Sequence, residues 1–72
     1  MNRTAKRHVQ LTEREKEILK YLQHGRTSRQ IAEILVISER TVKFHIGNCL
    51  RKLGAANRTQ AVVLALAKGM FD

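Results

Sequence analysis

Thr12-Glu13-Arg14-Glu15 sets a hydroxyl and a carboxylate three residues apart just ahead of an apolar run, and no other feature constrains the fold as tightly. This is a capping box: the Thr12 hydroxyl accepts from the Glu15 backbone N–H, and the Glu15 carboxylate accepts from that of Thr12. Ile18, Leu19 and Leu22 follow at helical spacing, and Gly25 fits the left-handed residue that ends such a helix. Thr27 with Gln30 repeats the box, with Ile31, Ala32 and Leu35 as the apolar stripe. Ser38 caps a third helix running to about Leu53 and closed by Gly54. Asn57 with Gln60 opens a fourth, which ends near Lys68 with Gly69 behind it. Strand alternation is nowhere sustained, although Ile34-Leu35-Val36-Ile37 is locally ambiguous, and there is no visible internal repeat. The expectation is an all-α, compact four-helix domain, with helices of about 11, 8, 15 and 11 residues.

Only Val36-Ile37-Ser38 separates the second helix from the third. A link that short is a helix-turn-helix link, which sets two helices at a steep angle and presents the second outward. Ile37 is expected to anchor the turn in the core. At 100° per residue, Val42, Ile46, Cys49, Leu50 and Leu53 gather on one side of the third helix, the core side. Arg40, Phe44, Gly47 and Arg51 fall opposite, flanked by Lys43 and Asn48. Arg and Lys suit guanine O6/N7, Asn suits adenine, and all three suit phosphate. Phe44 is a large apolar ring in a polar face. It either packs against a neighbour or meets thymine methyl groups in a major groove. Gly47 costs about 1 kcal/mol of helix propensity against Ala, a cost that close approach to a duplex wall would justify. At the start of the second helix, free N–H groups at Thr27 and Ser28 favour a phosphate, with Arg26 and Arg29 alongside. The Thr27 hydroxyl already has its role as a cap.

Charge supports the same partner. The 72 residues carry 14 Lys+Arg against 6 Asp+Glu, a formal net of +8. Residues 11–24 balance to zero, whereas residues 1–10 and 38–54 each hold +3. A neutral first helix beside a basic third segment implies a directed positive face. Nucleic acid is its first natural partner and acidic membrane the second, ordinary solvated charge being the plain alternative. A chain this short buries only about 60% of its unfolded surface, which leaves no room for a deep catalytic pocket. A single cysteine excludes an intramolecular disulfide and any Cys-based zinc knuckle. No apolar run approaches the length of a membrane span, and residues 1–8 lack the apolar core of a secretory signal. The expected class is a small, soluble, basic, cytoplasmic module whose residues 1–10 form a flexible tail or linker stub.

Together these residues resemble the LuxR-type helix-turn-helix family, also called the GerE-like domain. The matching text is Leu11-Thr12-x-Arg14-Glu15 with Ile18-Leu19, then Gly25, then Thr27-Ser28-x-x-Ile31-Ala32. It continues with Ile37-Ser38-x-x-Thr41-Val42-Lys43-x-His45-Ile46, Lys52-Leu53-Gly54 and Asn57-Arg58-x-Gln60-Ala61-Val62. Phe44-His45-Ile46-x-Asn48 and Asn57-Arg58-Thr59-Gln60-Ala61 look most like the acyl-homoserine-lactone receptor branch, which implies quorum sensing. The resemblance implies, for residues 11–72, a domain that binds double-stranded DNA as a homodimer on a two-fold operator and regulates bacterial transcription. Its third helix would enter the major groove. RNA polymerase is a candidate further partner, and no cofactor is implied. Base-contact positions carry over to Lys43, Phe44 and Gly47. Gly47 departs from members with a basic residue there, which shifts weight to Arg40, Lys43 and Arg51. Phosphate positions fall around Thr27, Ser28, Thr41, Asn48 and Lys52. The fourth helix commonly forms the dimer contact. Its run Ala61 to Ala67 is unbroken apolar sequence, so some of Val63, Leu64 and Ala67 should stay exposed unless the core takes the whole helix. A symmetric pair would read half-sites about 34 Å apart.

Other residues have plain explanations. Glu15 sits in the apolar stripe of the first helix without a partner carboxylate or nucleophile, and the capping box explains it, with an ion pair to a base on another helix. Cys49 reads as a small core residue, with redox sensing as the remote alternative. His8, His24 and His45 lack metal-ligand spacing. His45 is either a packing residue or a phosphate donor. No nucleophile motif or phosphate-cradling glycine loop is present, so an enzyme is not expected. A protein-interaction module of the same fold, binding another regulator through the fourth helix and Phe44, is the competing function.

Overall fold

The computed structural model describes residues 10–71; the expectations for residues 1–9, His8 among them, lie outside the described residues. Four α-helices follow in order among the described residues: α1 (Glu13–Gln23), α2 (Ser28–Leu35), α3 (Glu39–Leu53) and α4 (Arg58–Ala67). Each begins at the cap the sequence marks. The Thr12 N–H donates to Glu15 Oε1 at 2.9 Å and the Glu15 N–H to Thr12 Oγ1 at 3.1 Å. The second box has the same form, Thr27 N–H to Gln30 Oε1 at 2.9 Å and Gln30 N–H to Thr27 Oγ1 at 3.1 Å. Ser38 Oγ accepts the Thr41 N–H at 3.0 Å, and Asn57 Oδ1 accepts that of Gln60 at 2.8 Å. At α4 the Gln60 side chain reaches one residue further back, to the Ala56 N–H. These bonds satisfy N–H groups that a helix start leaves without acceptors.

α3 lies at the centre and packs against each of the other three helices, while α1 also packs on α4. The core unites Ile18, Leu19 and Leu22 of α1, Ile31 and Ala32 of α2, Val42, Ile46, Cys49 and Leu53 of α3, and Ala61 and Ala65 of α4. Leu11 joins them from ahead of α1. Only alanines of α4 are fully buried, and their small size lets that helix lie close against its neighbours.

The α2–α3 turn is the short link read in the sequence. Val36 ends α2 in the left-handed conformation, at φ 57° and ψ 49°. The Ile37 N–H then bonds back to the Ala32 carbonyl at 3.0 Å, and the Ile37 side chain packs on the core. Gly25 and Gly54, at φ 79° and 69°, serve the corresponding turns after α1 and α3. At Val36 a β-branched residue does a job that glycine does elsewhere in the chain.

Candidate nucleic-acid interface

The face of α3 turned from the core carries Arg40, Lys43, Phe44, Gly47 and Arg51, all exposed, with Asn48 half-buried at its edge. This is the division into faces that the 100° wheel predicts. Phe44 is 65% exposed, so no neighbouring helix among the described residues covers it, which leaves a partner or a major groove as its counterpart. Its ring meets His45 edge-to-face, with centroids 5.7 Å apart and planes at 64°. His45 is half-buried, and its buried Nδ1 has no hydrogen-bond partner among the described residues. A Cβ placed on Gly47 meets nothing within 4 Å, so the face is open around the Phe44 ring.

The charges on this face are held loosely. Lys43 Nζ lies 3.5 Å from Glu39 Oε2, an exposed pair one turn apart on α3. Such a pair is worth little in water and is readily exchanged for a phosphate. Arg40 and Arg51 make no ion pair among the described residues. The hydroxyl of Thr41 accepts from Ser38 Oγ at 2.8 Å, beside the start of α3.

Two assigned phosphate contacts are otherwise engaged. Ser28 is 5% exposed, and its Oγ accepts from Arg58 Nη2 at 3.1 Å. Its hydroxyl oxygen is therefore engaged within the chain, and its backbone N–H at the start of α2 remains for an anion. Lys52 Nζ sits 2.8 Å from Glu15 Oε1, so its charge closes an internal ion pair instead of standing free on the surface. Burial pushes the Glu15 carboxyl up, but the Lys52 ammonium and the Thr12 N–H outweigh it and hold the group below its ordinary value. Cys49 Sγ lies 3.7 Å from the Glu15 carbonyl, fully buried. Burial, and then the Glu15 charge, push its thiol up to about 11. Thr27 is exposed, with its hydroxyl engaged as the α2 cap. Arg26 and Arg29 are exposed beside it, Arg29 loosely paired with Glu33 at 3.8 Å.

On α4, Val63 is 57% exposed and Ala67 is exposed. Of the three residues named for this face, Leu64 is half-buried and packs on the core, and Leu66, not named, turns outward at 50% exposed. Leu66 follows Val63 by three residues, so the wheel places it correctly once the inward face is fixed. In an uninterrupted apolar run the sequence does not mark which face that is. The Arg58–Ser28 bond has no sequence signal, because its partners stand thirty residues apart and neither belongs to a local pattern.

The model of the luxR family of bacterial regulatory proteins matches residues 9–65. The quorum sensing-dependent transcriptional regulator RpaR of Rhodopseudomonas palustris is 53% identical over 65 residues, covering 90% of this chain and 27% of RpaR. The chain thus spans about a quarter of that relative's length. The spore germination protein GerE of Bacillus subtilis is 48% identical over 62 residues, covering 86% of this chain and 84% of GerE. Among solved structures, the VqmA–ligand–DNA complex of Vibrio cholerae matches with a TM-score of 0.82 at 35% identity, over 88% of this chain and 28% of that one. With a short-linked helix pair, a bare basic face on the second of them and a family match over most of its length, the chain belongs to the LuxR family of bacterial regulatory proteins.

Proposed function

We propose that residues 11–72 form a sequence-specific double-stranded DNA-binding domain of a bacterial transcription regulator, acting in the cytoplasm. The observation that carries this reading is the outward face of α3, where Arg40, Lys43, Phe44, Gly47 and Arg51 lie exposed together. With α3 in the major groove, Arg40, Lys43 and Arg51 supply guanine or phosphate contacts, and Phe44 meets apolar base edges over the space Gly47 leaves. The backbone N–H of Ser28, the Thr41 hydroxyl and the Asn48 side-chain amide lie at the margins, suited to phosphates. Val63, Leu66 and Ala67 form an apolar strip suited to a second copy, so that two domains read two half-sites about 34 Å apart. RNA polymerase fits as a further partner of an activator, and the transcriptional roles of the relatives support a non-enzymatic function.

Selection from random duplexes, with sequencing of the bound pool, tests the reading. A palindromic site is expected, with log affinity falling by about 0.9 per neutralised phosphate as log salt rises. Lys43→Ala should weaken the selected complex about tenfold and relax its sequence preference. Arg51→Ala should weaken it with a shallower salt slope. If both variants bind as the parent does, α3 is not the reading helix. If no duplex is enriched while a stable complex with another regulator forms, the interaction-module function takes its place.

A further inference from the structure

Arg58 carries a charge that the outward face of α3 does not account for. It is the first residue of α4, and its guanidinium turns to a neutral, buried partner, the Ser28 hydroxyl at 3.1 Å. Ser28 is in turn the first residue of α2. Arg58 makes no ion pair among the described residues. The bond therefore joins the first turns of two helices that each pack mainly on α3. Beyond it, α2 is held through Ile31 and Ala32, one turn further along, so the start of α2 has this polar tether and no deeply buried apolar anchor of its own. The first-turn N–H groups of Ser28 and Arg29 have no intrahelical acceptor, and they leave from that tethered turn.

We propose that Arg58 is a positioning residue for DNA binding. Acting through the Ser28 hydroxyl, it fixes the start of α2 relative to α3, so that the α2 N–H groups meet a backbone phosphate when α3 occupies the major groove. It also makes α4 part of the DNA-binding geometry, because any shift at the start of α4 is passed to α2. This inference rests on the DNA-binding reading above.

The test uses the full chain and the duplex selected as above, with Arg58→Gln, Ser28→Ala and the double variant. Affinity is measured far below each thermal midpoint, and the midpoints are recorded alongside. Each single change is expected to weaken binding about tenfold, the scale of one lost hydrogen bond to a charged group. The double variant should bind no more weakly than the weaker single, since both remove one link. The slope of log affinity against log salt should stay unchanged, because a positioning residue neutralises no phosphate. A slope shallower by about one in Arg58→Gln, with Ser28→Ala binding like the parent, overturns the proposal in favour of a direct phosphate contact. Lower midpoints with unchanged affinity overturn it too, leaving the bond as a fold tether. Should Arg58→Gln not fold, Ser28→Ala alone carries the comparison. Failure of the parent chain to retain any selected duplex removes the underlying reading as well, whereas parent-like variants on a well-bound duplex remove only this inference.

Discussion

Single residues carry the conflicts in this fold. Val36 is 86% exposed yet held at φ 57°, so its side chain makes little contact in return for a strained backbone. Val36→Gly removes the clash between Cβ and carbonyl, about 1–2 kcal/mol, against a smaller entropic gain by the unfolded chain. The net expectation is a variant more stable by about 1 kcal/mol in urea titration. A destabilised Val36→Gly would mean that the valine contributes contacts at the turn. Glu15 and Lys52 show the opposite balance, a costly buried charge made tolerable by its partner. Because the folded carboxyl lies below its ordinary value, the unfolded state binds more protons in the acid range, and stability rises with pH there. The contribution of the pair is complete above the unfolded value of about 4.3 and is lost as pH falls through the lower folded one. Glu15→Gln keeps the cap and removes the titration. Its urea midpoint should therefore vary less between pH 3 and neutrality than the parent's, and parallel curves would remove the pair from the acid response.

At the scale of elements, α3 and α4 divide the work by composition. α3 separates an apolar from a basic side with branched and charged residues, so residue type and helical spacing alone assign its two faces. α4 is apolar nearly all round, and its faces differ only in how closely each residue approaches α3 and α1. Val63, Leu66 and Ala67 consequently face solvent, while Ala61 and Ala65 are buried. If this strip is the dimer contact, Leu66→Glu places a charge where apolar surface would be buried and should weaken self-association at least tenfold. Sedimentation of parent and variant measures this, with circular dichroism showing that the monomer keeps its helices. Equal association constants would move the dimer contact off this face. Cap residues act at this scale as well. Each hydroxyl or amide that starts a helix bonds within three residues, which is why all four helix starts are legible from spacing alone.

For the molecule as a whole, one small core holds all four helices, and local opening that spares the rest has little room to occur. Cys49 reports on this, being fully buried where α3 meets the Glu15 carbonyl of α1, with its thiol pushed up to about 11. At pH 8 its reaction with a thiol reagent should be slow in the native protein and should accelerate in step with unfolding by urea. Fast labelling of the native protein would mean that α1 and α3 part on their own. Capping pairs, glycine stops, the three-residue link and the two faces of α3 are all set by interactions within a few positions, and so the sequence by itself determined the four helices, the helix-turn-helix and the basic outward face of α3. Partners far apart in the chain were a different matter. Lys52 joined Glu15 across thirty-seven positions in a half-buried ion pair, Arg58 took the Ser28 hydroxyl across thirty, and Leu66 turned outward beside Val63 while Leu64 packed on the core. Only the tertiary structure decided these, because a charge, a hydroxyl or a leucine takes its role from whichever group packing brings within reach, and one-dimensional spacing does not encode that distance.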